Sequence, residues 1–292
     1  MGATRRTHAW RWLREHAVNI VAGLVVLYLL IPIAVILLFS FNNPQGRYNY
    51  TWLGFTFYHW AHAFSHPELT EALLTSLKLA VLATVISTVV GTMMALALVR
   101  HRFFGRRLAN FLIVIPMATP EVVMGAALLS FFLILNAPSL GFQTLLIAHV
   151  MFCISFVVVV VRSRLIGFDR NLEEAAKDLG ANPLQTFRLV TLPLIMPGIL
   201  GGAMLAFALS IDDFVISNFN SGTTVTFPLY IFGAAQRGIP VEVNVIAMML
   251  FGVTVAAMGF TVWQQRRAER MAAVRPKQEE APIPIPGATA AA

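Results

Sequence analysis

Long apolar stretches are the feature that most constrains the fold of this chain. Six runs of mainly apolar residues alternate with short polar segments, and each run is long enough to cross a bilayer as a helix of about 20 residues. The sequence therefore predicts an all-α, polytopic membrane protein with six transmembrane helices. The predicted spans cover residues 17–41, 70–98, 108–135, 143–162, 195–217 and 243–264, so the transmembrane domain extends over 17–265.

The composition excludes a soluble enzyme or binding module. Hydrophobic residues make up 58% of the chain and charged residues only 12%, whereas soluble domains carry about 25% charged residues. The net charge of +7 does not indicate a nucleic-acid partner, because the basic residues cluster between the apolar runs. The single cysteine, Cys153, lies inside an apolar run, so it cannot form an internal disulfide and is expected to be buried.

Lysine and arginine are distributed unevenly between the two sides of the predicted membrane domain. Four lie in the segment 1–16, four in the turn 100–107, five in 162–188 and five in the tail 266–292, but only two lie in loops on the opposite side. Basic residues are enriched in cytoplasmic loops. Both termini are therefore predicted to be cytoplasmic. The tail is predicted to be disordered.

The polar segment 169–193 is patterned like folded structure. Asn171, near its start, is a candidate N-cap. Gly180 follows the last residue of an apolar stripe, where a residue in the left-handed conformation is expected to end the helix. Asn182 and Gln185 then have the spacing of a second helix start. The pattern predicts a short amphipathic helix, a glycine turn and a second helix that enters the membrane. The apolar stripe of the first helix consists of Leu172, Ala175, Ala176 and Leu179.

The same segment carries a family resemblance. Glu174-Ala175-Ala176, three residues, Gly180, nine residues and then Val190-x-Leu192-Pro193 resembles the EAA signature of ABC-importer permeases, with Val190 in place of Ile. The resemblance implies the type I importer permease fold (MetI-like), with 169–193 as the coupling loop that docks on a cytoplasmic ATPase. The alternative is a surface helix without a partner. The residues implied in coupling are Glu174, Ala175, Ala176, Gly180, Leu192 and Pro193.

Three acidic side chains lie at predicted membrane depth: Glu121, Asp212 and Asp213. A carboxylate at mid-bilayer costs about 2.5–3.5 kcal/mol, so each is expected to face a cavity or a partner. Neighbouring residues on a helix point about 100° apart, so Asp212 and Asp213 are expected to serve different roles. All three are candidates for a pathway that carries a cation. The alternative is a structural carboxylate paired with Lys78 or with a partner subunit.

A second resemblance indicates the substrate. The segment from Ala206 to Ser217 resembles the Leu-Ser-x-Asp-Asp-x-Val segment of spermidine/putrescine permeases, and the start of the last span at Glu242 is also similar to theirs. Two departures are the position of Pro240 and the presence of Met248. The resemblance implies import of a small organic cation, most closely a polyamine. Related permeases carry other organic cations, iron or opines, so these substrates stay open.

The family resemblance also implies a location in the cell membrane of a prokaryote and a set of partners. The partners are a second, similar permease, two copies of a cytoplasmic ABC ATPase and an extracytoplasmic solute-binding protein that contacts the loops 42–69 and 218–242. Because the chain has no Gly-x4-Gly-Lys-Ser/Thr segment, ATP and magnesium are expected on the ATPase and no cofactor in this chain.

Catalytic and metal-binding roles find little support in the sequence. No catalytic triad or zinc spacing is apparent, so the chain is expected to be a non-catalytic transport subunit. The spacing of His59, His62 and His66 allows a metal site, against the simpler interpretation of interfacial polar residues. An ion-coupled secondary transporter and an intramembrane enzyme are alternatives that the EAA spacing disfavours.

Overall fold

Helices form nearly all of the regular structure. The computed structural model describes residues 3–46, 48–135 and 139–274, and within them the only extended pairing is an isolated bridge between Asn42 and Phe55. The all-α prediction is confirmed. The helices are α1 (Ala3–Phe39), α2 (Tyr58–Ala61), α3 (Pro67–Arg100), α4 (Arg106–Ala118), α5 (Glu121–Ile134), α6 (Phe142–Ile166), α7 (Asn171–Asp178), α8 (Pro183–Thr186), α9 (Leu192–Ile211), α10 (Val215–Asn220), α11 (Phe227–Arg237) and α12 (Val241–Val274), with a π-helical turn at Phe187–Thr191 between α8 and α9.

The helices divide into two compact units, and α1, α2 and α12 form the smaller one. In this unit α12 packs against α1 and α2. The aromatic residues that follow α1 form a cluster: the Phe41 ring stacks on Phe55 and on Trp60, with centroids 5.1 Å and 5.3 Å apart. The backbone N–H of Leu53 donates a 2.8 Å hydrogen bond to Oδ1 of the buried Asn42. Stacking and this hydrogen bond together hold the loop against the end of α1.

The larger unit contains α3 to α11, and its core is formed where α3, α6 and α9 pack together. Small residues let these helices approach closely. Ser87, Gly91 and Ala95 of α3 are all buried, and a Cβ placed on Gly91 would lie 2.8 Å from Cγ1 of Val157 in α6. A Cβ on Gly202 of α9 would lie 3.5 Å from the Val157 Cα. Small residues at these positions therefore form close-packing faces between the helices.

Four helical segments of the described residues are long and apolar enough to span a membrane. The predicted third span, 108–135, is wrong as a single helix, because α4 and α5 meet at a bend of 114°. Pro120 explains the break, since it lacks a backbone N–H and pushes Thr119 into the extended conformation seen there. The four segments are His16–Phe39, Pro67–Arg100, Phe142–Ile166 and Pro183–Ile211.

The fifth predicted span, 195–217, also needs correction. Helix α9 ends at Ile211, and the chain is irregular at Asp212 and Asp213 before α10 begins. The region predicted as a polar loop, 218–242, contains the end of α10 and all of α11. The continuous apolar composition of 195–217 predicted a single helix. The sequence pattern did not indicate where that helix is interrupted.

The last predicted span, 243–264, lies within α12, whose segment Val241–Ala256 is apolar but shorter than a full span. By length and composition the described residues contain four spans, or five if the bent pair counts as one. Helix α12 continues to Val274, so the tail predicted to be disordered begins as a helix. Residues 275–292 of that tail lie outside the described residues.

Substitution of Gly91 by leucine is expected to destabilise the α3–α6 contact by about 1–3 kcal/mol, because the added side chain overlaps Val157. Thermal unfolding in detergent can be followed with a thiol-reactive dye, since the single cysteine is fully buried until the protein opens. Gly23→Leu is the matched control, because nothing lies within 4 Å of a Cβ there. Equal unfolding temperatures for the two variants would contradict the packing account.

Candidate coupling segment and membrane carboxylates

Helix α7 ends at a glycine, as the sequence predicts. Gly180 has φ +86°, a left-handed conformation, and its N–H donates a 2.8 Å hydrogen bond to the carbonyl of Lys177. The start of the helix differs from the prediction, because Asn171 is its first residue and not its cap. The Asn171 backbone N–H donates instead to Oδ1 of Asp169 at 3.0 Å. The aspartate therefore stabilises the first turn.

The second helix start is a reciprocal capping box. The Gln185 N–H donates to Asn182 Oδ1 at 2.8 Å, and the Asn182 N–H donates to Gln185 Oε1 at 2.9 Å. Pro183 occupies the first helical position, where its missing N–H costs nothing. The predicted helix toward the membrane is confirmed, although it passes through the π-helical turn Phe187–Thr191, which the sequence pattern did not indicate. Such turns are frequent at functional sites.

The candidate coupling segment, 169–193, exposes several large apolar side chains. Glu174, Ala175 and Pro193 are exposed, while Ala176 and Leu192 are half-buried. Exposed apolar patches of this kind mark surfaces that bind another molecule. The exposed leucines of the segment, with their exposed fractions, are Leu172 at 47%, Leu179 at 89%, Leu184 at 72% and Leu189 at 71%.

The residue that attaches α7 to the rest of the unit is Glu173, which sequence reasoning did not select. Its Oε1 accepts hydrogen bonds from the Arg100 guanidinium at the end of α3 and from the Thr191 hydroxyl in the π-helical turn. Nearby, the Arg170 guanidinium donates to the carbonyl of Val99 at 3.3 Å. From the sequence, the only partner expected for Glu173 is Lys177, four residues later on the same helix. Arg100 is 73 positions away in the chain, so its contact with Glu173 can be recognised only in the folded structure.

Asp213 is buried and acts as a structural acceptor at the break between α9 and α10. Its Oδ2 accepts a 2.8 Å hydrogen bond from the Ser217 N–H, and its Oδ1 accepts one of 3.3 Å from the Ile216 N–H. A carboxylate at the start of a helix satisfies amide groups that lack partners within the helix. The side chain therefore holds the first turn of α10.

His149 of α6 connects the two sides of this break, and sequence reasoning did not select it. Its Nδ1 lies 2.8 Å from the Ser210 hydroxyl in α9, and its Nε2 lies 3.0 Å from the Ser217 hydroxyl in α10. The same Nε2 is 3.5 Å from Asp213 Oδ2. All four side chains are buried, so the network satisfies polar groups that would be costly to bury alone. A lone histidine in an apolar run gives no signal of this role.

Asp212 and Glu121 are exposed, in contrast to Asp213. Asp212 follows α9 directly, and Glu121 is the first residue of α5. Helices α5 and α10 pack tightly: a Cβ on Gly125 would lie 2.8 Å from the ring of Phe219. Among the described residues no ion pair joins Lys78 to any of the three carboxylates.

Of the three histidines considered as metal ligands, His59 contacts a carboxylate. Nδ1 of His59 lies 2.9 Å from Oε1 of Glu242, a buried carboxylate at the start of α12. Across residues 3–46, 48–135 and 139–274, no group of three potential ligands could hold a metal ion.

The fold matches solved ABC-importer permeases. A chain of a bacterial transporter involved in the import of the acidic polysaccharide alginate aligns with a TM-score of 0.62 and 20% identity, covering 87% of this chain and 97% of that one. A chain of the MetNI methionine ABC transporter aligns with a TM-score of 0.54 and 18% identity, covering 68% and 95%. Identities this low show the shared fold alone. The fold of this chain is therefore the one seen in ABC-importer permeases.

The chain belongs to the family of binding-protein-dependent transport system inner membrane components, whose sequence model matches residues 87–270. It is 39% identical to the spermidine/putrescine permease protein PotC of Haemophilus influenzae over 80% of this chain and 90% of that protein. It is 40% identical to PotC of Escherichia coli K12 over 76% and 84%, and 37% identical to the putrescine permease protein PotI of that strain over 83% and 88%. The chain is thus a multi-pass membrane transport subunit, similar to polyamine permeases.

Replacement of Glu173 by glutamine is expected to destabilise the protein by about 1.5 kcal/mol. This loss of stability is at the low end of the range for hydrogen bonds to charged groups, about 1.5–3 kcal/mol. The low value is expected because solvent screens the partly exposed Arg100 and Glu173 side chains. Glu174→Gln is the control, since Glu174 is exposed and no described residue pairs with its carboxylate. Thermal unfolding should separate the two variants, and an effect of equal size from both would refute the attachment of α7 through Glu173.

Proposed function

We propose that this chain is a permease subunit of an ATP-driven importer that moves polyamines, putrescine and spermidine, into a prokaryotic cell. Its similarity to PotC and PotI over most of their length supports this substrate class. The observation that carries the coupling role is the set of exposed leucines on a helical hairpin between two candidate spans. A surface of this kind suits docking of the ATPase that supplies the energy.

In the proposed topology the chain crosses the membrane six times and both termini are cytoplasmic. The four long helical segments, the bent α4–α5 pair and α12 supply the six spans. The uneven distribution of lysine and arginine supports this orientation. It puts the coupling segment 169–193 in the cytoplasm, where an ATPase is available.

The proposed complex contains this chain, a second similar permease, two copies of a cytoplasmic ATPase and an extracytoplasmic solute-binding protein. ATP and magnesium bind to the ATPase subunits, and this chain holds no cofactor. The binding protein delivers substrate to the outer segments 42–69 and 218–242. Closure of the ATPase dimer on ATP draws the coupling segments together and opens the cavity outward, and hydrolysis resets it.

Within the coupling segment each signature residue has a distinct proposed role. Glu174 contacts the ATPase, Ala175 and Ala176 permit its close approach, and Gly180 makes the turn. Leu192 and Pro193 start the helix that enters the membrane. The bonds of Glu173 to Arg100 and Thr191 would carry the displacement of α7 to α3 and α9, because those residues end one helix and precede the other.

In the proposed pathway Asp212 and Glu121 attract the ammonium groups of the substrate, and Asp213 has a structural role. Exposure supports this division, since only an accessible carboxylate can exchange water for a passing cation. Burial and two backbone hydrogen bonds commit Asp213 to the start of α10. A substrate with two or more ammonium groups also suits a pathway with more than one accessible carboxylate.

Uptake of labelled putrescine and spermidine is expected to be lost when this gene is deleted from cells that retain the partner subunits. Asp212→Asn should lower the initial rate about ten-fold, corresponding to about 1.4 kcal/mol, without changing the unfolding temperature. Asp213→Asn should lower the unfolding temperature as well. Normal polyamine uptake in the deletion strain would remove this substrate while leaving the family assignment in place, and other cationic solutes would then be screened.

Substitution of Gly180 by valine is expected to leave membrane insertion intact but to weaken ATPase association. A β-branched residue is strained in the left-handed conformation by about 1–2 kcal/mol, so the hairpin would present its leucines differently. Co-purification of the ATPase with the tagged permease measures the effect. Gly46→Val is a control outside the segment, with nothing within 4 Å of a Cβ. Normal co-purification and transport by Gly180→Val would refute the coupling role.

A further inference from the structure

An open, shallow surface cavity of about 720 Å³ lies at the turn between α3 and α4. Its lining comes from one short stretch of chain that combines cationic and aromatic side chains. Two phenylalanines of this stretch are exposed, Phe103 by 43% and Phe104 completely. The lining residues are Arg102, Phe103, Phe104, Gly105, Arg106, Arg107 and Asn110.

The positive charge of this cavity is not balanced within the described residues. No carboxylate lines the cavity, and the guanidinium groups of Arg102, Arg106 and Arg107 have no ion-pair or hydrogen-bond partner there. Other arginines nearby are engaged: Arg162 donates to Asn110 Oδ1 at 2.7 Å, and Arg100 binds Glu173. The three cavity arginines are therefore available to an anion from outside the chain.

The backbone adds to this positive potential. Helix α4 begins at Arg106, and Gly105 at its N-cap is left-handed, with φ +87°. No side chain caps the helix and its first turn contains no acidic residue. The N-terminus of a helix carries a partial positive charge, so arginines are unfavourable there unless an anion is also present. An anionic ligand would neutralise both the guanidinium groups and the first-turn amides.

The exposed rings identify the source of the anion. Helix α3 is a candidate membrane span that ends at Arg100, and α4 opens the bent candidate span. In the proposed topology the turn lies at a boundary of the bilayer, where exposed phenylalanine rings can insert among the acyl chains. A soluble anion gains nothing from Phe103 and Phe104, whereas a phospholipid offers a phosphate to the arginines and acyl chains to the rings.

We propose that this turn, called the arginine cradle and comprising Arg102, Phe103, Phe104, Arg106 and Arg107, binds the headgroup of an anionic phospholipid in the cytoplasmic leaflet. The proposal rests on the orientation proposed above. Basic clusters next to membrane spans attract acidic lipids. The cradle begins two residues after Arg100, to which Glu173 attaches α7. A bound lipid therefore steadies the end of α3 that holds the coupling segment.

The test uses the full transporter complex, purified in detergent, stripped of lipid and titrated with phosphatidylglycerol or phosphatidylcholine. Native mass spectrometry counts the lipids that remain bound. The wild type is expected to retain phosphatidylglycerol preferentially. The triple variant R102Q/R106Q/R107Q is expected to retain it about a hundred-fold less well, with no change for phosphatidylcholine. This readout needs no substrate, so it is independent of the polyamine uptake assay.

The matched control is R5Q/R6Q/R11Q, which removes three positive charges from the same proposed side of the membrane. An equal loss of phosphatidylglycerol from this control would overturn the proposal in favour of diffuse attraction. Displacement of the lipid by millimolar inorganic phosphate would overturn it in favour of a soluble-anion site. Loss of ATPase subunits from the triple variant in phosphatidylcholine alone would overturn it in favour of a protein-docking surface.

A single substitution keeps the test valid if the triple variant does not fold. Arg102 is exposed and precedes α4, so Arg102→Gln leaves the helix start unchanged. We expect about five-fold weaker retention of phosphatidylglycerol from this change. Burial of the Cys153 thiol, measured by dye reactivity, reports whether each variant is folded. A folded Arg102→Gln protein with wild-type lipid retention would refute the cradle.

Discussion

Close contact of α6 with α3 and α9 is the constraint on which the larger unit depends. Val157 of α6 faces Gly91 on one neighbour and Gly202 on the other, so the helices meet with little side-chain volume between them. In a bilayer the hydrophobic effect does not drive helices together, and packing of small residues takes its place. This packing fixes the ends of α3, α6 and α9. The candidate coupling segment and the candidate pathway carboxylates both lie near ends of these helices.

The two sites use this core in different ways. At one end, Glu173 connects the coupling segment to the last residue of α3 and to the π-helical turn before α9. Toward the other end of α9, His149 of α6 holds the break that exposes Asp212 and buries Asp213. A displacement of the coupling segment would thus act on α3 and α9 directly, and α9 ends at the candidate pathway. This continuity gives the proposed coupling a physical route through packed helices.

Sequence reasoning succeeded where the signal is local and missed what depends on distant contacts. The glycine turn at Gly180 and the capping box at Asn182 follow from backbone conformation and neighbouring side chains, so their prediction needed no fold. The bend at Thr119–Pro120 was missed because apolar composition continues through it, although Pro120 was a signal that could have located it. Glu173 and His149 gave no signal, since their partners lie far away in the chain.

The sequence by itself determined the class of this protein: apolar runs of membrane length require helices, and the spaced EAA pattern belongs to importer permeases. It also located the segments that carry charge in or beside the membrane. Only the tertiary structure decided which acidic residue of each adjacent pair is committed to the fold, Glu173 rather than Glu174 and Asp213 rather than Asp212. Glu173 is committed because Arg100 and Thr191, from other elements, bind its carboxylate. Asp213 is committed because the chain breaks after α9, which buries its carboxylate against the amides of Ile216 and Ser217 and near His149 of α6.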